Sequence, residues 1–165
     1  MGIGEHQPVQ PGLEHIIGGE NELLSIFLRG HLVIEALLNQ MIQSVEHISD
    51  KKLSKMTFAK KNDRCFDIGL FGNDFYEFLS QMNRIRNSFA HRLGYDLSEA
   101  EVHQLIQLAG RAPEVDFSDD MHQLDIKTLY EWYGNTSGVL MEMFKHVAMD
   151  LSFIVEANGG AFMFT

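Results

Sequence analysis

The sequence predicts a single all-α domain, and three observations predict it. Apolar residues recur at three- and four-residue steps through most of the chain, and no convincing alternating run offers a strand. The 165 residues, 45% of them hydrophobic and 22% charged, suffice for one real core without disulfides or metal. No repeat, low-complexity tract or linker divides the sequence, so a single bundle of about five helices is expected.

Residues 1–18 contain Gly2, Gly4, Pro8, Pro11, Gly12 and Gly18 without periodicity, which predicts a loosely ordered N-terminal arm before a domain over residues 19–160. From Glu20 to about Val45 the positions Leu24, Phe27, Leu28, His31, Ile34, Leu38, Met41, Ile42 and Val45 keep helical spacing. Leu23, Ile26, Val33 and Leu37 widen that stripe, so a long, largely buried central helix is predicted. Ser49, Asp50 and two lysines interrupt it, and a more polar helix is predicted from Ser54 to near Ile68.

Gly69 to Gly72 reads as a turn, with Asn73 as the N-cap of a third helix whose core stripe is Phe75, Phe78, Met82, Ile85 and Phe89. Ser80, Arg84, Asn87 and His91 take its opposite face, and Gly94 reads as its stop. Ser98 and Glu101 form a capping box that opens a short helix to about Leu108. Gly110 to Gln123 reads as an exposed loop. A last helical segment runs from about Asp125 to Ala157, with Gly134, Asn135, Ser137 and Gly138 as the points where it would break or kink.

A lone cysteine, Cys65, excludes an intrachain disulfide and fits a reducing compartment. The N-terminus lacks the basic and apolar regions of a secretion signal, and no apolar run approaches a membrane span, so a cytoplasmic protein with no membrane partner is expected. The formal net charge of -10 repels polyanions. Residues 51–92 nevertheless carry nine of the thirteen basic side chains and only four acids, a segment of +5 in a remainder of -15. That asymmetry fits a phosphate-facing patch on an acidic body, and equally a solvated lysine-rich turn.

Chemistry concentrates in Asn83 to Asp96, the stretch Asn-Arg-Ile-Arg-Asn-Ser-Phe-Ala-His-Arg-Leu-Gly-Tyr-Asp. No nucleophile elbow, phosphate-binding P-loop or dinucleotide fingerprint competes with it. Three acid–imidazole pairs stand four apart: His31 and Glu35, Glu99 and His103, Glu142 and His146. Each pair has the spacing of a metal half-site, but the last two read better as ordinary surface helix pairs. His31 and Glu35 fall in the buried helix, where they pair with each other or support a site from another helix.

Arg86 supplies a fixed charge, Asn87 a donor and acceptor, and His91 a titratable imidazole. On a straight helix Asn87 and His91 share a face, while Arg86 and His91 stand roughly 140° apart around the axis and about 7.5 Å along it. Two resolutions stay open: the helix unwinds near Gly94 and turns His91, or two copies meet so that Arg86 of one complements His91 of the other. With RNA as partner, Arg86 would hold the scissile phosphate, and His91 would accept the 2'-hydroxyl proton or protonate the leaving 5'-oxygen. The ribose supplies the nucleophile, so this chemistry calls for no metal and no cofactor. A structural arginine–histidine pair at this spacing is also common by chance.

Arg86-Asn87-Ser88-Phe89-Ala90-His91 resembles the Arg-x4-6-His signature of HEPN domains, including the polar residue after the arginine. The run Arg29-Gly30-His31-Leu32-Val33-Ile34-Glu35 and the motif's place at the end of the third helix are similar to that superfamily as well. The resemblance implies a helical bundle, commonly a homodimer, and frequently a metal-independent endoribonuclease acting as a toxin or in phage defence. Arg86 and His91 match the catalytic pair and Asn87 the accessory position. Arg84 and Arg92 would then contact the RNA backbone, and a cognate antitoxin is a partner the resemblance brings with it.

One departure concerns control. Toxins paired with a nucleotidyltransferase antitoxin resemble Arg-x4-His-x-Tyr with a modified tyrosine, whereas position 93 is Leu and Tyr95 lies two residues on. Other all-α relatives resemble mannitol operon repressors, which implies a second function class: a non-catalytic transcriptional regulator or interaction module.

Overall fold

The computed structural model describes residues 21–161. Among them every regular element is helical, and the all-α class is borne out. The N-terminal arm expected over residues 1–18 lies outside the described residues.

Helix α1, Glu22–Val45, is the axis of the bundle. Asn21 starts it by accepting a hydrogen bond from the Leu24 backbone. Its stripe of Phe27, Ile34, Leu37, Leu38, Met41 and Ile42 is fully buried. Each such side chain contributes about 1.5–3 kcal/mol of burial, so α1 is held by its packing rather than by helix propensity.

The polar helix expected from Ser54 to near Ile68 is α3, which starts later, over Phe58–Asp67, and the stretch read as an interruption holds a short helix of its own, α2 over Asp50–Ser54. Each has its own cap: Ser49 accepts from the Lys52 backbone at 3.2 Å, and Thr57 from the Lys60 backbone at 3.3 Å. A β-branched hydroxyl residue at position 57 therefore restarts the chain rather than continuing it. Helix α4 covers Asn73–His91, and its N-cap is Gly72, one residue earlier than expected. Asn73 is already helical, and its amide donates to Glu77 one turn on. Phe75, Phe78, Met82 and Ile85 are buried as the spacing predicts, with Phe89 half-buried between the rings of Phe27 and Tyr95.

Helix α5, Glu99–Arg111, opens on the complete Ser98–Glu101 capping box. It runs into the segment expected as an exposed loop, which instead buries Ala112, Val115, Phe117 and Met121 against the core and holds a 3-10 turn at Met121–Gln123. The last segment is divided into α6, Ile126–Tyr133, and α7, Thr136–Ala157. Gly134 makes the break with φ +92°, a conformation that strains any residue with a Cβ, and Asn135 then caps α7 by accepting from the Gly138 backbone at 2.9 Å.

Helix α7 packs along α1 in the same direction, with Gly30 against Phe144 and Ser44 beside Gly160. On the other side of α1, α3 and α4 close the core. Asn62 of α3 ties them by donating to the Tyr76 carbonyl at 3.1 Å and to the Ser80 hydroxyl at 3.2 Å. Among the described residues no helix is long and apolar enough to cross a membrane.

Candidate functional site

Where α1, the start of α3 and the second half of α4 meet, they leave a cavity of about 600 Å³. Arg86 and Asn87 line it from α4, together with Asn83 one turn earlier, and His31 and Glu35 line it from α1. Asn83, Arg86 and Asn87 follow the three- and four-residue steps of one helix face. Asn83 and Arg86 are half-buried against this recess, while Asn87 stays exposed.

Inside it, His31 Nε2 lies 3.3 Å from Asn83 Oδ1, and the imidazole stacks on Phe58 with ring centroids 4.2 Å apart. With the amide oxygen accepting, Nε2 carries the ring proton and Nδ1 is the acceptor. His31 is only 4% exposed. Burial lowers its pKa below the ordinary 6.5 and the Arg86 charge pushes the same way, outweighing the Asn83 hydrogen bond and Glu35. The imidazole is therefore neutral at pH 7, and Arg86 supplies the cavity's positive charge on the α4 side.

Glu35 does not pair with His31. It accepts a hydrogen bond from Lys61 Nζ of α3 at 2.7 Å, and Lys61 is almost fully buried. The mutual pairing open for His31 and Glu35 is not made, and each side chain bonds a residue of another helix, His31 to Asn83 and Glu35 to Lys61. The basic segment is reduced by the same contacts, since Lys61 is held by Glu35 and Arg64 by both carboxylate oxygens of Glu46 at 2.7 and 3.0 Å.

Arg86 Nη1 donates to Asn87 Oδ1 at 3.4 Å, a long contact between neighbours that a phosphate oxygen could replace. His91 is the last residue of α4, exposed, and outside the cavity wall. The helix does not unwind to turn it: Arg92 is the C-cap, its N–H bonded to the Ser88 carbonyl at 3.0 Å, and Gly94 takes φ +75° only beyond the helix end. One protomer therefore gathers Arg86 and Asn87 with His31 and Asn83, and leaves His91 about five residues along a regular helix.

The flanking arginines are both exposed. Arg84 donates to Gln81 at 2.8 Å, and the Arg92 guanidinium lies 5.2 Å from the Tyr95 ring centre. Tyr95 is turned inward, its hydroxyl donating to Glu101 at 2.9 Å, and burial with that bond pushes its pKa up to about 12. Cys65 is buried under α1 and its thiol is pushed up to about 12 by burial, which removes it as a nucleophile.

Compared with protein-family models, with curated proteins and with solved structures, the chain matches none. The site is read from its own residues. Asn83 and His31 are the two contributors the motif does not name. Asn83 carries a local signal, a polar residue four before Asn87 on the same face. His31 carries only the cost of a buried imidazole, which requires a partner somewhere.

Proposed function

We propose that the chain is a metal-independent endoribonuclease of HEPN type, cleaving RNA by attack of the 2'-hydroxyl at a site completed across a homodimer. The observation that carries this reading is the cavity in which Arg86 and Asn87 converge with a neutral His31. A recess with one guanidinium, two amides and one imidazole, its Glu35 carboxylate already paired with Lys61, suits a single phosphodiester better than a neutral ligand.

In this reading Arg86 holds the scissile phosphate and offsets its developing charge, and Asn87 orients it. His91 of the second copy transfers the proton, taking it from the 2'-hydroxyl or returning it to the leaving 5'-oxygen. His31 and Asn83 form the polar floor that positions the arginine side of the site. The products end in 2',3'-cyclic phosphate and 5'-hydroxyl. Arg84 and Arg92 contact flanking phosphates. The dimer is supported by apolar side chains left bare beside both halves of the motif, Leu32 at the cavity rim and Leu93, 86% exposed, just past His91. A toxin or phage-defence role, with a cognate antitoxin, follows from the resemblance. The engaged Tyr95 hydroxyl speaks against its use as the modified residue.

The test is incubation of the purified protein with total RNA in chelator, beside Arg86→Ala and His91→Ala. Cleavage to cyclic phosphate ends that either change reduces at least about a hundredfold supports the proposal. Cleavage by His91→Ala equal to the parent's sinks the mechanism.

A second reading, the non-catalytic regulator or interaction module, is favoured by a separate observation. Between α1 and α7 lies an apolar groove of about 480 Å³ lined by Ile26, Val33, Met141 and Met149, the kind of surface another protein covers. Under this reading RNA stays intact with every variant.

A further inference from the structure

Asp119, Glu142 and His146 meet where the segment after α5 folds back on α7, with donor atoms all within 4.8 Å of one another. The sequence shows only half of this arrangement, the Glu142 and His146 pair on one helix face. Asp119 is brought to it by the turn that precedes Met121.

The spacing is informative. His146 Nε2 lies 3.4 Å from Glu142 Oε1 and 3.7 Å from Asp119 Oδ2. Both distances exceed the roughly 2.7–2.9 Å of a closed charge-assisted hydrogen bond. Both approach the edge, about 3.4 Å, of a tetrahedron whose centre lies about 2.1 Å from each ligand. The imidazole has closed onto neither carboxylate.

Each donor is also oriented by a neighbour. The Tyr133 hydroxyl donates to Asp119 Oδ2, and the Met121 backbone N–H to Asp119 Oδ1 at 3.3 Å. Lys145 takes Glu142 Oε2 at 3.1 Å, leaving Oε1 as the oxygen that faces His146. The Phe117 ring meets His146 edge-on at 5.4 Å and fixes the plane of the imidazole. Such partners are what hold metal ligands in place.

We propose that Asp119, Glu142 and His146 bind a divalent transition-metal ion, with zinc the best-fitting probe and the fourth position open to water. One nitrogen and two carboxylate oxygens suit zinc, whereas magnesium prefers an all-oxygen octahedral set and keeps most of its waters. The ion clamps the 112–125 segment onto α7. Neither element lines the cavity of Arg86, so this site is separate from RNA cleavage.

Full-length protein stripped with chelator is titrated with zinc and, separately, magnesium, following heat release and thermal midpoint, beside Asp119→Asn, His146→Gln and Tyr133→Phe. Zinc raises the parent's midpoint and binds as one ion per chain, while magnesium at the same concentration does not. Asp119→Asn and His146→Gln lose the shift, and Tyr133→Phe keeps it with about tenfold weaker affinity. Far-UV circular dichroism of the metal-free variants confirms that they are folded. If either misfolds, Glu142→Gln, which keeps the side chain's shape, takes its place with the same expected loss. An unmoved parent midpoint, or an equal zinc shift in the ligand variants, overturns the proposal.

Discussion

His31 of α1 and Asn83 of α4 meet at 3.3 Å inside the cavity that Arg86 lines, and burial keeps this imidazole neutral although the Asn83 contact favours its charged form. Because burial lowers the folded-state pKa of His31 below 6.5, the unfolded chain binds more protons than the native one between these two values. Stability from this group is thus fully present above about pH 6.5 and is lost as pH falls through that window. The thermal midpoint of the parent is expected to fall more steeply than that of His31→Gln between about pH 7.5 and about pH 5. Equal slopes for the two proteins rule out His31 as the group responsible.

Lys61 and Glu35 form an ion pair in which the ammonium is 3% exposed and the carboxylate 26%. Removing only the acid leaves a buried cation with no counter-charge. Glu35→Leu is expected to cost about 3 kcal/mol, the low end for a broken buried pair because Glu35 retains some solvent. The double variant Glu35→Leu, Lys61→Met should recover most of it, since two apolar groups of similar volume replace the pair. Urea unfolding midpoints at pH 7 measure both, and a double variant no better than the single one contradicts this account.

Gly30 has a different use from the turn glycines. A Cβ placed there would come within 2.5 Å of the Phe144 ring, which crosses directly over the α1 backbone. Gly30→Ala gains about 1 kcal/mol of helix propensity, yet overpacking costs about 1–3 kcal/mol. The net expectation is a lowered thermal midpoint, partly restored by adding Phe144→Leu. A midpoint that rises in the single variant shows that α7 can move away freely.

The same residues show what the sequence can and cannot carry. Stripes such as Phe75, Phe78, Met82 and Ile85 are legible because one helix encodes its buried face in its own spacing. The Ser98–Glu101 box is legible because both partners lie within one turn. The break at Gly134 is legible from its glycines and Asn135, whereas the restart at Thr57 is harder, because a hydroxyl is compatible with either a cap or a continuing helix until the packing decides. Arg86, Asn87 and His91 stand out by local composition, but the partner of His31 is 52 residues away, and no local spacing encodes that contact. Asp119 joins Glu142 and His146 by the path of a loop, which periodicity does not describe.

Arg86 lines the cavity while His91 stands outside it on an unbroken helix, so the proposed cleavage site needs a second copy, and that requirement can be isolated. In Arg86→Ala homodimers both sites lack the phosphate clamp, and in His91→Ala homodimers both lack the proton carrier. Unfolding and refolding an equal mixture allows heterodimers, each with one intact composite site and one site lacking both groups. Random pairing makes half the dimers mixed, so the mixture should regain about a quarter of parental activity on RNA. Sites contained within single protomers would give no recovery at all, because no chain in the mixture carries both side chains. Recovery without detectable dimer in sedimentation, or no recovery with mixed dimers demonstrably formed, separates the chemistry of the motif from its assembly and rejects the composite site.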